Sequence, residues 1–471
     1  MDRRTLLRIV GSGMMAGMMA TARIKTADGT MTSENSALIE TGDVDVLAWT
    51  QFRGPDQGRA RWATLPLTWD DTAHPEDSTT DTESDGDASL AMSDNIRWRT
   101  EIPDRGWSSP VICGDTVWLT TAPEDGKRAE VVVVDLESGR LLRQWIVFDV
   151  PEPQYCHPFN SYASPTPVTD GRCVWVHFGA HGTACVDAET YETLWEQRNL
   201  PCDHYRGPGS SPALHDGKLI LHFDGYDVQY ICALDATTGE TLWKVERSTD
   251  FGDMDGDLRK AYTTPLVVSY PINGNPTDSR RRTLIVSGAA QASFGYDPAD
   301  GRELWKLPYP PGYSNSASPV VDEAGFLYID TGFDQPQLWK LNLTELERTG
   351  GLAEKIWSVE RNMPRKPTPL QLDGLVYTVD DLGIACCIDA DDGTVLWRRR
   401  IPGEFSTSPI SDGQSVYFFS QEGPTTVIRH GREFLPIAEN QLDSGTMATP
   451  AVHGNDLIVR TRRSLYRIAG E

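Results

Sequence analysis

The stretch ALDATTGETLW, Ala233 to Trp243, decides the fold. Asp235 and Gly239 have the composition and spacing of a hairpin turn. Trp243, eight residues after the aspartate, supplies a large apolar face that can lie over a neighbouring unit and stabilise a stack. The same eight-residue step recurs from Asp187 to Trp195, from Asp297 to Trp305 and from Asp389 to Trp397. Asp135 to Trp145 is two residues longer. Trp357 is expected to serve a fifth unit, and a seventh unit shows no equivalent tryptophan.

A second pattern alternates with the first: a small or hydroxyl residue, a proline, a short apolar run, a turn and an alternating strand. It begins with SPVICGDTVWLTT at Pro110 and returns at Pro167, Pro212, Pro265, Pro319, Pro369, Pro409 and Pro450, at steps of 40 to 57 residues. A repeat of this length built from strands and turns predicts a propeller. The expected fold class is all-β: an eight-bladed β-propeller of four-stranded blades. The unit from Pro450 supplies three strands, and Asn95 to Glu101 reads as a lone strand carrying a docking residue, Trp98. Adding that N-terminal strand to the last blade closes the ring and removes its open edges.

The A-x-D-x-x-T-G-x-x-x-W repeat resembles the tryptophan-docking repeat of the quinoprotein alcohol dehydrogenase superfamily, over about residues 95–470. That superfamily holds pyrroloquinoline quinone (PQQ) dehydrogenases and quinone-free binding propellers such as the outer-membrane assembly lipoprotein. In style the chain resembles the PQQ-repeat propellers of planctomycete-type bacteria. The resemblance implies either a binding and scaffold propeller for an envelope protein or glycan, or a PQQ-dependent oxidoreductase acting on an alcohol or sugar with calcium. Cys386-Cys387 invites the vicinal disulfide of the quinone enzymes, but Cys387 fills the small Ala position of the repeat and Cys232 occupies the place of Cys386. Two core cysteines used as small apolar residues are the expectation. The quinone enzymes' Glu, Asn and Asp set for calcium and base cannot be aligned.

The chain has 471 residues, with 68 acidic against 43 basic side chains and a net charge of −25. Such a surface repels nucleic acid. Residues 1–22, with Arg3-Arg4, an apolar run to Ala20 and Ala20-Thr21-Ala22, resemble a twin-arginine signal, although Asp2 stands where Ser or Thr is usual. They carry three arginines and one aspartate, so cleavage leaves a charge near −27. A periplasmic or envelope monomer with no transmembrane segment after cleavage is expected. Residues 23–48 read as a linker, 49–69 as an N-terminal extension packing on the propeller, 70–94 as an acidic disordered insertion and 95–471 as the propeller. The eight cysteines show no disulfide framework and no zinc spacing.

Loops placed by a rigid scaffold are where function concentrates. The inter-blade loops 154–163, 200–210, 248–262, 309–317 and 362–367, with the intra-blade loops 179–182, 224–229 and 331–337, are rich in polar groups. His157, His181, His204, Arg206, Asp227, Arg259, Lys260 and Asp334 are therefore expected on a ligand-binding face, and the three histidines are candidates for metal ligands or for the acid–base groups of a hydrolase or lyase. Trp107, outside the docking pattern, is the indole that could stack on a flat ligand. Asp253, Asp255 and Asp257 alternate as calcium ligands do, without the Glu and Gly placement of an EF-hand. A solvated acidic turn neutralised by Arg259 and Lys260 is the competing expectation. His177 and His222 occupy equivalent strand positions in successive blades and read as buried blade histidines.

Overall fold

A computed structural model describes residues 48–71, 93, 95–272, 275–310 and 312–470. The signal-like segment, the linker and the acidic insertion lie outside these residues, apart from Ala48, Asp70, Asp71 and Ser93. Among the described residues the strands form eight separate four-stranded sheets. Seven blades are built from consecutive strands, over 111–149, 168–197, 213–246, 266–308, 320–359, 370–400 and 410–440. The eighth takes three strands from 451–468 and its outermost strand, Ile96–Glu101, from the N-terminal side. There Thr100 lies opposite Leu465 and Glu101 opposite Ser464, antiparallel. The chain is an eight-bladed β-propeller closed as the repeat count predicts.

The turn that decided the reading works through its aspartate. One oxygen of Asp235 accepts the N–H groups of Thr237 and Thr238, both at 2.9 Å. Gly239 follows at φ +75° and donates its N–H to the Asp235 carbonyl at 2.8 Å. Trp195 of the preceding blade lies on that glycine, and its Nε1 donates to the Ala236 carbonyl at 3.0 Å. A Cβ on Gly239 would stand 2.5 Å from the indole, so the glycine is required by both its φ and its contact. Trp98 on Gly139, Trp243 on Gly301 and Trp357 on Gly393 repeat the arrangement. Gly239→Ala is expected to cost about 2–3 kcal/mol, from left-handed backbone strain and displacement of the indole. Urea unfolding measures it; a loss below ~0.5 kcal/mol would mean that Trp195 shifts freely.

Two blades depart from the repeat for visible reasons. Blade two has Tyr191 in the glycine position, at φ +62°. Trp145 meets that ring at 6.1 Å and stands edge-on to Trp118 at 5.9 Å. Blade five replaces the turn with a helix, Leu343–Thr349. The Asn342 side chain caps it by accepting from Glu345 N, and Gly350 ends it at φ +68°.

The segment before the first strand crosses the end of the channel where the innermost strands turn back. The Trp49 and Thr50 carbonyls accept from Ile112 and Thr169 of blades one and two, each at 2.9 Å. Gln57 exchanges two side-chain hydrogen bonds of 2.9 Å with the backbone of Val321 in blade five. Arg53 reaches the Pro369 carbonyl and Arg59 the Gln371 side chain of blade six, both at 2.9 Å. Ala60 donates to the Ser411 carbonyl of blade seven at 2.7 Å. Trp49, Leu65 and Trp69 are buried in one cluster with apolar residues of blades seven, eight and one.

All eight cysteines are free thiols. Strand alternation sends Cys386 and Cys387 to opposite faces of Ile384–Asp389. Cys386 packs in the cluster of Trp357 and Val376, Cys387 in that of Tyr377, Trp397 and Phe418.

Candidate functional site

The residue before each repeat proline is Ser or Thr, and these eight positions meet around the channel axis. The backbone N–H of each blade's residue donates to the hydroxyl of the next blade's. Ser109 donates to Thr166 Oγ1 (2.9 Å), Thr166 to Ser211 Oγ (2.9 Å), Ser211 to Thr264 Oγ1 (3.1 Å) and Thr264 to Ser318 Oγ (3.0 Å). The series runs on from Ser318 to Thr368 (2.9 Å), Thr368 to Ser408 (3.0 Å) and Ser408 to Thr449 (3.1 Å). Among the described residues no equivalent bond returns from Thr449 to Ser109, whose buried Oγ has no hydrogen-bond partner. The open link falls at the seam where the ring closes.

All eight residues line one cavity of about 780 Å³. Because strand side chains alternate, the residues two positions earlier face the same space. Four are small, namely Ser164, Gly209, Ser316 and Ser406, and four are large: Trp107, Tyr262, Lys366 and Met447. Phe52 of the N-terminal segment lines this cavity and also a second one of about 410 Å³ beyond it, so the segment forms the channel's floor. Phe159, Tyr313 and Phe333 add aromatic wall toward the loop face.

Of the residues singled out in the sequence, Trp107, His157, Arg206, Lys260 and Asp257 come together in this cavity. Trp107 Nε1 donates to the Phe159 carbonyl at 3.0 Å. The Arg105 and Arg462 guanidinium carbons lie 4.7 and 5.2 Å from the centre of its ring. His157 Nδ1 accepts from Phe159 N at 3.1 Å, which leaves the proton of the neutral ring on Nε2. Desolvation first, then Arg206, holds this histidine below its ordinary pKa. Arg206 pairs with Asp257 at 3.2 Å, and the buried Lys260 ammonium also rests against that carboxylate. Burial, then Arg206, lowers the Lys260 amine to about 7, with the Asp255 charge opposing them. Lys366 pairs with Asp381 at 2.9 Å and lies 4.3 Å from the Phe159 ring centre.

The other expected residues lie outside the cavity lining. His204 is buried, and its Nε2 accepts from Ala180 N at 3.0 Å; burial pulls it down to about 4. It is a neutral post inside the loop face. His181 packs beside Tyr162, with 6.0 Å between ring centres. Asp227 accepts from the N–H groups of Asp203 (2.7 Å) and Val228 (2.9 Å), and Arg259 donates to the Met254 carbonyl at 2.7 Å. Both shape their own loops. Asp334 is exposed at a loop tip. Asp255 caps the short turn Gly256–Leu258 by accepting from Asp257 N at 2.8 Å, Asp257 faces its two cations, and Asp253 is exposed. Among the described residues no three His, Cys, Asp or Glu side chains stand together as an ion needs. Asp255 thus serves a turn and Asp257 an ion pair.

The hydroxyl ring and Phe52 are functional candidates that the loop-centred reading missed, and Lys366 lies in the expected inter-blade loop 362–367 without having been singled out. The ring's signal was present: the residue before the repeat proline is hydroxylated in all eight copies. The cavity fits a calcium–quinone centre poorly. Asp257 is its one carboxylate and is already matched by cations, and the Trp107 ring carries two guanidinium groups.

A family model described as outer membrane protein assembly factor BamB matches residues 54–270, 144–333 and 331–430. The crystal structure of BamB from Moraxella catarrhalis is 14% identical with a TM-score of 0.55, covering 80% of this chain and 98% of that one. Quinohemoprotein alcohol dehydrogenase from Comamonas testosteroni is 12% identical with a TM-score of 0.56, covering 80% of this chain and 76% of that one. At such identities these likenesses carry the fold alone. A curated relative, tetrathionate hydrolase of Acidithiobacillus ferrooxidans, is 29% identical over 148 residues, which is 30% of each chain. The match thus spans under a third of that relative's length. With eight four-stranded blades and a family match across most of its length, this chain belongs to the PQQ-repeat propeller family described as outer membrane protein assembly factor BamB.

Proposed function

We propose that this chain is an exported binding propeller of the cell envelope, which takes a ligand into its floored channel and presents its loop-rich face to an envelope protein or glycan. The observation that carries the reading is the cavity of about 780 Å³, closed beneath by Phe52 and walled by aromatic and polar side chains. That volume and lining match a ligand pocket, typically ~300–1,000 Å³ with a few placed polar groups. The side chains at its mouth are held by ion pairs and by a ring of interblade hydrogen bonds, so the site is rigid before a ligand arrives. Export by the twin-arginine route rests on the Arg3-Arg4 segment. No helix among the described residues is long and apolar enough to cross a membrane.

The second reading, a PQQ dehydrogenase, is favoured by a cation-bearing cavity large enough for an anionic quinone and opposed by its lining, in which Asp257 is the one carboxylate among the described residues. Titration of the mature protein with PQQ, with and without calcium, alongside a dye-linked alcohol and sugar oxidation assay, separates the two. The expected result is no turnover, together with quenching of Trp107 fluorescence by soluble envelope fragments that is lost in Trp107→Phe. Quinone-dependent turnover would replace the binding reading with the enzymatic one. Failure of every fragment to quench would remove the channel as a ligand site.

A further inference from the structure

The next inference rests on the channel being a ligand site and concerns the chemistry of what enters it. A Ser or Thr hydroxyl has one proton to donate and lone pairs to accept with. Seven of the ring hydroxyls accept a backbone N–H from the neighbouring blade, and among the described residues none of the eight donates to a protein acceptor. The ring therefore keeps its O–H donors for the contents of the channel. A group offering several acceptor oxygens and no protons matches it best.

The charges around the channel point the same way. Over the whole chain acids outnumber bases by 68 to 43, yet the cavity is lined by Arg206, Lys260 and Lys366 against Asp257, with Asp381 behind Lys366, which leaves cations in excess by three to two. On the other side of Trp107 a groove of about 530 Å³ holds Arg105, Arg462 and Arg463 against Asp104 and Glu124. Arg105 and Arg462 sit on the same indole, and neither forms an ion pair among the described residues. The buried Arg105 Nε has no hydrogen-bond partner. Asp104, Glu124 and Glu422 stand near these guanidinium groups without pairing with them, so an anion still relieves the repulsion between the two. The surrounding negative field disfavours a long polyanion, so the attraction must act at short range on a small molecule.

We propose that the channel binds a small organic or sulfur oxyanion, its carboxylate or sulfonate oxygens accepting from the hydroxyl ring and from Lys366 and Arg206 at the mouth, and its body against Trp107 and Phe159. Hydrogen bonds from neutral hydroxyls and charged donors to such oxygens are short and strong. Carboxylate and sulfonate share this chemistry, and the test distinguishes them.

Isothermal titration of the mature protein would use trigalacturonate as the carboxylate probe and tetrathionate as the sulfonate-ended probe. Galactotriose is the neutral counterpart and sodium sulfate the bare anion. The expected result is saturable binding of one anionic probe, at least tenfold tighter than galactotriose or sulfate. It should weaken at least fivefold between 50 and 500 mM NaCl and at least tenfold in Lys366→Met. Thr264→Val removes one ring hydroxyl and should weaken binding about threefold or more. If Thr264→Val does not fold, Lys366→Met, at the channel mouth, keeps the test decisive. Equal binding of galactotriose would overturn the oxyanion assignment and leave the channel a ligand site. Equal binding of sulfate would reduce it to a simple ion site. Binding of neither organic anion would overturn it outright.

Discussion

Asp224→Ala is expected to cost about 3–5 kcal/mol of stability, because it strands a guanidinium in the interior. Arg247 donates to both oxygens of Asp224, at 3.0 and 2.7 Å, and to Ser287 Oγ at 2.9 Å and the Tyr296 hydroxyl at 3.3 Å. It also lies 5.1 Å from the centre of the Phe294 ring. Asp224 is 1% and Arg247 7% exposed, and the group joins blade three to blade four. Burial works against both charges, and each opposes that effect in the other. Desolvation offsets much of the attraction, so the intact pair contributes little net stability while half a pair is costly. Asp224→Leu combined with Arg247→Met should accordingly recover most of the loss. Urea denaturation of the two variants decides it. A single-variant loss below ~1 kcal/mol would show that water reaches Arg247 when its partner is gone.

The second large effect is loss of stability in mild acid. His177 is held down to about 3 and His204 to about 4, by burial first and neighbouring histidines next; His222 is held well below its ordinary value, by burial first and Arg247 next. All three are neutral when folded, whereas the unfolded chain protonates them near 6.5. Their contribution is complete above pH 6.5 and is lost as the pH falls toward the folded values. Each forfeits ~1.4 kcal/mol per pH unit in that window. Asp330, buried and raised well above the usual carboxylate range, acts with the opposite sign. Asp224, also raised by burial, acts with Asp330, and the three histidines outnumber the two carboxylates, so stability falls as the pH drops from 6.5 to 5. Denaturation midpoints across that range test it, and His177→Phe should flatten the slope by about one proton. A pH-independent midpoint would mean that these histidines are hydrated in the folded state.

The blade count and the closure were legible because each unit repeats the same physical solution. An aspartate ties the turn, a glycine takes the left-handed angle, and the preceding blade's tryptophan rests on it. Where one part changed, as at Tyr191 or the Leu343–Thr349 helix, the local reading blurred while the strand count still carried. The site was less legible. Polar loop residues in sequence are candidates for ligands, yet most loop polar groups are consumed by their own backbone, as Asp227 and Arg259 are. His204 reads as a loop histidine, and only the fold shows that blade three buries it. Trp107, His157, Arg206 and Lys260 did converge in space. The ring that organises them was written as eight separate Ser/Thr-Pro pairs, whose common neighbour is visible only when the blades are set in a circle. Phe52 was beyond reach, since its place under the channel depends on where Gln57, Arg53 and Arg59 anchor hundreds of residues away.

The strand that completes the eighth blade sets an order of events in the life of the polypeptide. Ile96–Glu101 leaves the ribosome early and must wait for Ser464–Ile468, so an incomplete chain keeps an unpaired edge at each end of its growing stack. Such edges invite pairing with other molecules. Synthesis must therefore run nearly to the end before the molecule is protected. A truncation that removed only Ser464–Ile468 would orphan the first strand as well as the last.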